Sequence, residues 1–179
     1  MRPLALVVLA GCLGDQRVVL HPIQGNLQLG TDGVRGGELV SSGAIHGWGL
    51  EAHVHGQQLE RDEPAVPGYV RRNLGFGIDF ALRLSLFGIV ADDQRLARWF
   101  DIGATLGGGG GFIKPSRLTT YAEAWAGAWI EVGLAPGDRY PALVLEVRRA
   151  AITDWNDRTV FIIGLAFTRR YADNIDIHD

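Results

Sequence analysis

Large apolar residues alternate with small or charged ones over long stretches of this chain. From Leu74 to Leu86, the residues Leu74, Phe76, Ile78, Phe80, Leu82, Leu84 and Leu86 are interleaved with Gly75, Gly77, Asp79, Ala81, Arg83 and Ser85. A side-chain period of two marks a β-strand with one apolar and one polar face. Four more segments follow the rule. Phe100, Ile102, Ala104 and Leu106 alternate with Asp101, Gly103 and Thr105, and the even positions from Ala122 to Leu134 alternate with Glu123, Trp125, Trp129 and Glu131. Leu143, Leu145 and Val147 alternate with Val144, Glu146 and Arg148, and Phe161, Ile163, Leu165 and Phe167 alternate with Ile162, Gly164 and Ala166. The apolar set carries no polar side chain. The opposite set holds seven charges: Asp79, Arg83, Asp101, Glu123, Glu131, Glu146 and Arg148.

This patterning predicts strands near 39–55, 69–90, 98–110, 119–134, 141–152 and 158–170. Two weaker strands precede residue 36, where Pro22 interrupts Val18–Leu20 and Thr31–Gly37 reads as a glycine-rich turn. The links "RDEPAVPG", "ADDQ", "KPS", "APGD" and "DWND" carry turn residues and are short enough for hairpins. "DDQRLARWF" has room for one helical turn. The expected fold is therefore all-β: an antiparallel up-and-down barrel of about eight strands, in a chain of 179 residues that suits one domain. A net charge of −3 gives no electrostatic support for a nucleic-acid partner.

The chain opens "MRPLALVVLAGCLGD". Arg2 precedes an apolar run from Leu4 to Ala10 that is too short to span a bilayer as a helix and has the layout of an export signal. "LAGC", Leu9 to Cys12, resembles the lipobox of bacterial lipoprotein signal peptides. The resemblance implies removal of residues 1–11 and acylation of Cys12, the single cysteine. Leu13, not Asp, follows the cysteine, so the resemblance does not imply inner-membrane retention. The expected organisation is a signal at 1–11, an N-terminal segment at 12–38 with one or two weak strands, a barrel at 39–170 and a polar tail at 171–179.

Two architectures fit the two faces. In a soluble, lipocalin-like barrel the apolar set points inward around a hydrophobic ligand. In an outer-membrane barrel it meets lipid and the charged set fills the lumen. The pattern resembles the small outer-membrane barrels. The charged face also bears Tyr121, Trp125, Trp129, Phe87 and Ile162 and many glycines, a mixture suited to a narrow lumen. The strands are long as well. The expectation is a non-enzymatic barrel of the bacterial outer membrane, structural or small-solute-interacting, with membrane lipid as its partner. The alternative is a lipid-anchored soluble barrel that binds a hydrophobic ligand.

Three stretches invite a chemical reading. "GWGLEAHVHGQQLE", Gly47 to Glu60, places Glu51, His53 and His55 on one strand face and resembles the first motif of the cupin family. In that family these histidines and the glutamate bind a metal. Here Pro67 stands where the family has glycine, Glu60 falls in an expected loop, and the only later histidine is His178. The histidines are expected to be solvent-exposed at a strand end, with no metal and no cofactor. "GGGGGFIKPS", Gly107 to Ser116, lacks the Lys-Ser/Thr step and the following helix of a phosphate loop, and is expected to be a flexible strand end. Glu123 and Glu131 lie too far apart along one strand for an acid/base pair, and no nucleophile-elbow sequence is present. The inner charges are expected to form a polar network, and no residue is expected to be catalytic.

Overall fold

The computed structural model describes residues 18–31, 35–45, 47–62, 65–90, 99–114, 119–136 and 139–171. Eight antiparallel strands close into a barrel, each paired with its neighbour in sequence. They are β1 (Val18–Gly30), β2 (Arg35–Ile45), β3 (Trp48–Asp62), β4 (Val70–Ser85), β5 (Phe100–Lys114), β6 (Thr119–Gly133), β7 (Arg139–Ile152) and β8 (Arg158–Tyr171). A short helix, Leu86–Val90, follows β4. Closure comes from β1 against β8, where Leu20 lies opposite Arg169 and Gly30 opposite Val160. No strand is left as an edge, so the ladder groups of every strand have partners on both sides.

The barrel is inverted relative to a soluble one. Ile23, Leu39, Leu50, Phe80, Leu106 and Leu165 are between 62% and 67% exposed. Glu38, Glu51, His53, Asp79, Arg83, Glu131, Glu146 and Arg148 are all buried. The apolar face of every expected strand is therefore the outer one. Apolar side chains enter the lumen mainly toward its ends. Leu59, Ile113, Tyr121 and Ile152 cluster near the end away from the chain termini. Tyr140, Ala142, Val144 and Ala166 cluster near the other.

Several boundaries differ from the sequence reading. The segment 39–55 is not one strand: the chain reverses between Ile45 and Trp48, which pair with each other. Gly47 has φ of +80°, the left-handed conformation that a two-residue hairpin demands. The alternation changes phase here, from outward odd positions on β2 to outward even positions on β3, and that single shift is what marks the turn. The barrel therefore begins at Val18, not at 39, and β1 and β2 are full members of it. Pro22 does not break β1. The register shifts between His21 and Gln24, a bulge that absorbs the proline and its missing N–H. β4 stops at Ser85, and the helical turn stands at 86–90, ahead of the expected 92–100, of which 92–98 lie outside the described residues. The expected signal, Cys12 and the tail from 172 also lie outside them.

The glycine run is not a flexible strand end. β5 passes straight through it to Lys114, with Gly107 to Gly111 paired to β4 on one side and β6 on the other. The inward glycines leave room for bulky neighbours. A Cβ on Gly103 would stand 2.5 Å from Cζ2 of Trp129, and one on Gly107 2.5 Å from Cζ2 of Trp125. The two indoles of β6 thus lie across β5 and fill the lumen.

This packing yields a prediction. Gly107→Val drives a side chain into Trp125 and Ala81 and should cost about 1–3 kcal/mol, the usual range for overpacking. Gly25→Ala, at a position with nothing within 4 Å, should change little. Urea unfolding midpoints of the two variants check this; equal effects would contradict the assigned packing of β5.

Candidate functional site: a charged lumen

The lumen is built from the polar face of each strand, so its chemistry follows from strand register. Three groups of charges occupy it. In the first, Arg83 on β4 donates to Glu51 Oε1 at 2.9 Å and to Glu131 Oε2 at 3.3 Å. Its guanidinium lies 3.5 Å from the centroid of Trp129, so the indole face adds cation–π attraction. Glu131 also accepts from Thr168 and contacts His21, whose other ring nitrogen meets Ser42.

In the second group, Arg148 on β7 reaches both oxygens of Glu146, at 2.7 and 2.9 Å, and Glu38 on β2 at 2.9 Å. It stacks 4.0 Å over Trp125. Thr105 donates to Glu146, and Asn26 and Gln28 donate to Glu38. His53 joins the two groups, with one ring nitrogen 3.4 Å from Glu38 and the other 3.2 Å from Glu51. Its ring meets Trp125 edge-on.

The third group lies nearer the end away from the termini. His55 on β3 has Nδ1 3.1 Å from Asp79 Oδ2 and Nε2 3.1 Å from Glu123 Oε1. Nε2 also meets the Tyr121 hydroxyl at 2.8 Å, and the Gln57 amide donates to Glu123 at 2.8 Å. Asp79 and Glu123 stand on β4 and β6, which are not neighbours. They meet because the residue between them in the register is Gly109, which has no side chain to separate them.

All seven charges expected to face inward are buried. The register brings Arg83 to Glu131 and Asp79 to Glu123 through His55, while Arg148 meets Glu146 two residues back on its own strand. Asp101 is held by the Ser85 hydroxyl and the Ile102 amide, residues outside that set. The histidines require a correction. His53 and His55 are not exposed at a strand end; they are among the most buried polar residues of the barrel. Alternation puts Glu51, His53, His55 and Gln57 on the inner face, opposite Leu50, Ala52 and Val54. The cupin-like ligand set is not assembled, because Glu60 lies within β3 and pairs with Arg72 instead.

The inner charge set expected from the sequence omits Glu38, Glu51, His21 and Arg158, although the sequence places Glu51 on one face with His53 and His55. The signal for Glu51 was present in "LEAHVHG". Those for Glu38 and His21 were masked by the unrecognised turn and the bulge.

Arg148 anchors two carboxylates from opposite sides of the lumen. Arg148→Ala should therefore leave Glu38 and Glu146 uncompensated and cost about 3–5 kcal/mol. Thr105→Val, which removes one hydroxyl donor, should cost about 1 kcal/mol. Denaturant unfolding of both variants checks the ratio; a loss at Arg148 no larger than that at Thr105 would contradict the network.

No protein-family model matches this chain, and no curated protein matches it in sequence. Among solved structures, the fold has a likeness to Ail, the attachment invasion locus protein of Yersinia pestis, solved with the heparin analogue sucrose octasulfate. The two chains share 9% identity over 87% of this chain and 99% of that one, with a TM-score of 0.42.

Proposed function

We propose that this chain is a non-enzymatic β-barrel of the bacterial outer membrane, with a structural role in the cell envelope and an acyl anchor at Cys12. One observation carries the reading: the barrel's apolar side chains point outward and its charges point inward. In water such an exterior would be an apolar belt far larger than the few hundred Å² that soluble monomers expose. In lipid it is the expected exterior.

The outer face has further features that suit a bilayer. Along β7 the apolar stretch Pro141–Val147 is bounded by the exposed Arg139 and Arg149. Ten residue steps separate these arginines, about 33 Å of strand at 3.3 Å per residue. Tilted by about 45°, that length spans about 23 Å of height, close to the apolar band of outer-membrane barrels. Exposed aromatics stand toward both ends of the band. Trp48, Trp99, Phe100 and Phe167 lie toward the end bearing the termini, and Tyr69, Phe76, Phe112 and Phe161 toward the other. Such girdles sit at lipid–water boundaries. No helix among the described residues is long and apolar enough to cross a membrane, so crossing would fall to the strands.

The filled lumen speaks against a wide diffusion pore. It also counts against a lipocalin-like carrier, because the interior that would hold a hydrophobic ligand is lined by carboxylates and guanidiniums. At the end away from the termini, the connections between strands are four to seven residues long. That end has no extended loops to build a large binding surface.

Two experiments test this. The chain beginning at Asp15 should be insoluble in plain buffer and should acquire cooperative β-structure in detergent micelles. A monomeric, folded protein in buffer would overturn the membrane reading. The full chain, expressed in a Gram-negative host with radiolabelled palmitate, should incorporate label that Cys12→Ala abolishes; an unlabelled parent chain would remove the anchor from the account.

A further inference from the structure

We infer that His55, Asp79 and Glu123 form a binding site for one first-row divalent cation of the zinc class. The inference rests on the lumen alone and not on what surrounds the barrel.

Geometry comes first. One donor atom from each of the three residues lies within 4.8 Å of the other two, and all three residues are buried. In a tetrahedral zinc site with bonds near 2.1 Å, donors stand about 3.4 Å apart. The contact of His55 Nε2 with Glu123 Oε1, at 3.1 Å, is already near that spacing. Nε2 would bind the metal while Nδ1 donates its N–H to Asp79 Oδ2, 3.1 Å away, leaving Asp79 Oδ1 as the third donor; metal-bound histidines are usually oriented in this way. A nitrogen with two carboxylate oxygens suits zinc or manganese better than calcium or magnesium, which take all-oxygen shells.

A second, independent observation points to an occupant. Asp79 is 2% exposed, yet its Oδ1 has no hydrogen-bond partner. It lines a cavity of about 20 Å³ together with Glu123, Gln57, Trp125, Arg148 and Arg158. That volume admits one water-sized species. A buried carboxylate oxygen without a partner, facing such a space, is costly unless something cationic or a proton donor fills it.

The fold also makes room for the site. A Cβ on Gly77 would stand 2.8 Å from His55 Nε2 and 2.7 Å from the Tyr121 hydroxyl, and one on Gly109 2.4 Å from Asp79 Oδ1. Glycine at these two inward positions keeps the space around the donors clear.

The full chain, folded in detergent micelles with zinc chloride and passed over a chelating resin to strip surface sites, tests the inference. Atomic emission should count about one zinc per chain, and zinc-edge X-ray absorption should report a shell of one imidazole with oxygen donors. Glu123→Gln and Asp79→Asn should each weaken zinc retention at least about tenfold, whereas His53→Gln, in the neighbouring group, should retain it. A folded chain that keeps no zinc would overturn the site, as would folded Glu123→Gln keeping as much as the parent. Should the variants fail to fold, the absorption spectrum of the parent decides alone: a zinc shell without imidazole would equally overturn it.

Discussion

A barrel that turns most of its large apolar side chains outward must fill much of its interior with charge. A buried ion pair is a weak source of stability, because desolvating the charges offsets most of their attraction. It becomes tolerable when each group has several partners. Arg83 and Arg148 meet that condition: each holds two carboxylates, one of them on a non-adjacent strand across the lumen, and rests on an indole face. His53 ties the two centres together. The strands around them are held less by a hydrophobic core than by these cross-lumen contacts and by the closed ladder. Removing one partner leaves charge with no solvent to receive it, so the network specifies one register.

The network depends on an unusual economy of side chains. β5 contributes almost nothing to the middle of the lumen. Its inward positions Gly103, Gly107, Gly109 and Gly111 admit Trp129 and Trp125 from one side and let Asp79 and Glu123 meet over the strand. A narrow barrel cannot take a large side chain from every strand at one level, so one strand must be thin. The same thinness brings two carboxylates and a histidine to one point.

Much of this was legible in the sequence because the β period is two and a shift of one residue would reverse every face. The alternation in 74–86 and 122–134 could only produce strands whose faces differ this sharply. Asp79, Arg83, Glu123, Glu131, Glu146 and Arg148 were placed on one face by counting alone. Which face looked inward was less legible, since both polarities satisfy the same pattern; Trp125, Trp129 and the glycines on the charged face supplied the hint. Gly47 turns the chain where the alternation merely changes phase, and Pro22 sits in a bulge, so two strands are easily fused or underrated. The histidine site was not legible. His55, Asp79 and Glu123 are contributed by β3, β4 and β6, and only the register, with a glycine opposite both acids, makes them neighbours.

The polarity of the barrel is the claim on which the rest stands, and collision accessibility measures it residue by residue. Nitroxides would be attached to single cysteines at Ile78, Asp79, Phe80 and Ala81 in the chain beginning at Asp15, reconstituted into lipid vesicles. The account predicts high oxygen accessibility at Ile78 and Phe80, with oxygen and water-soluble nickel reagent both low at Asp79 and Ala81. High nickel accessibility at Ile78 and Phe80 would place that face in water and contradict the account.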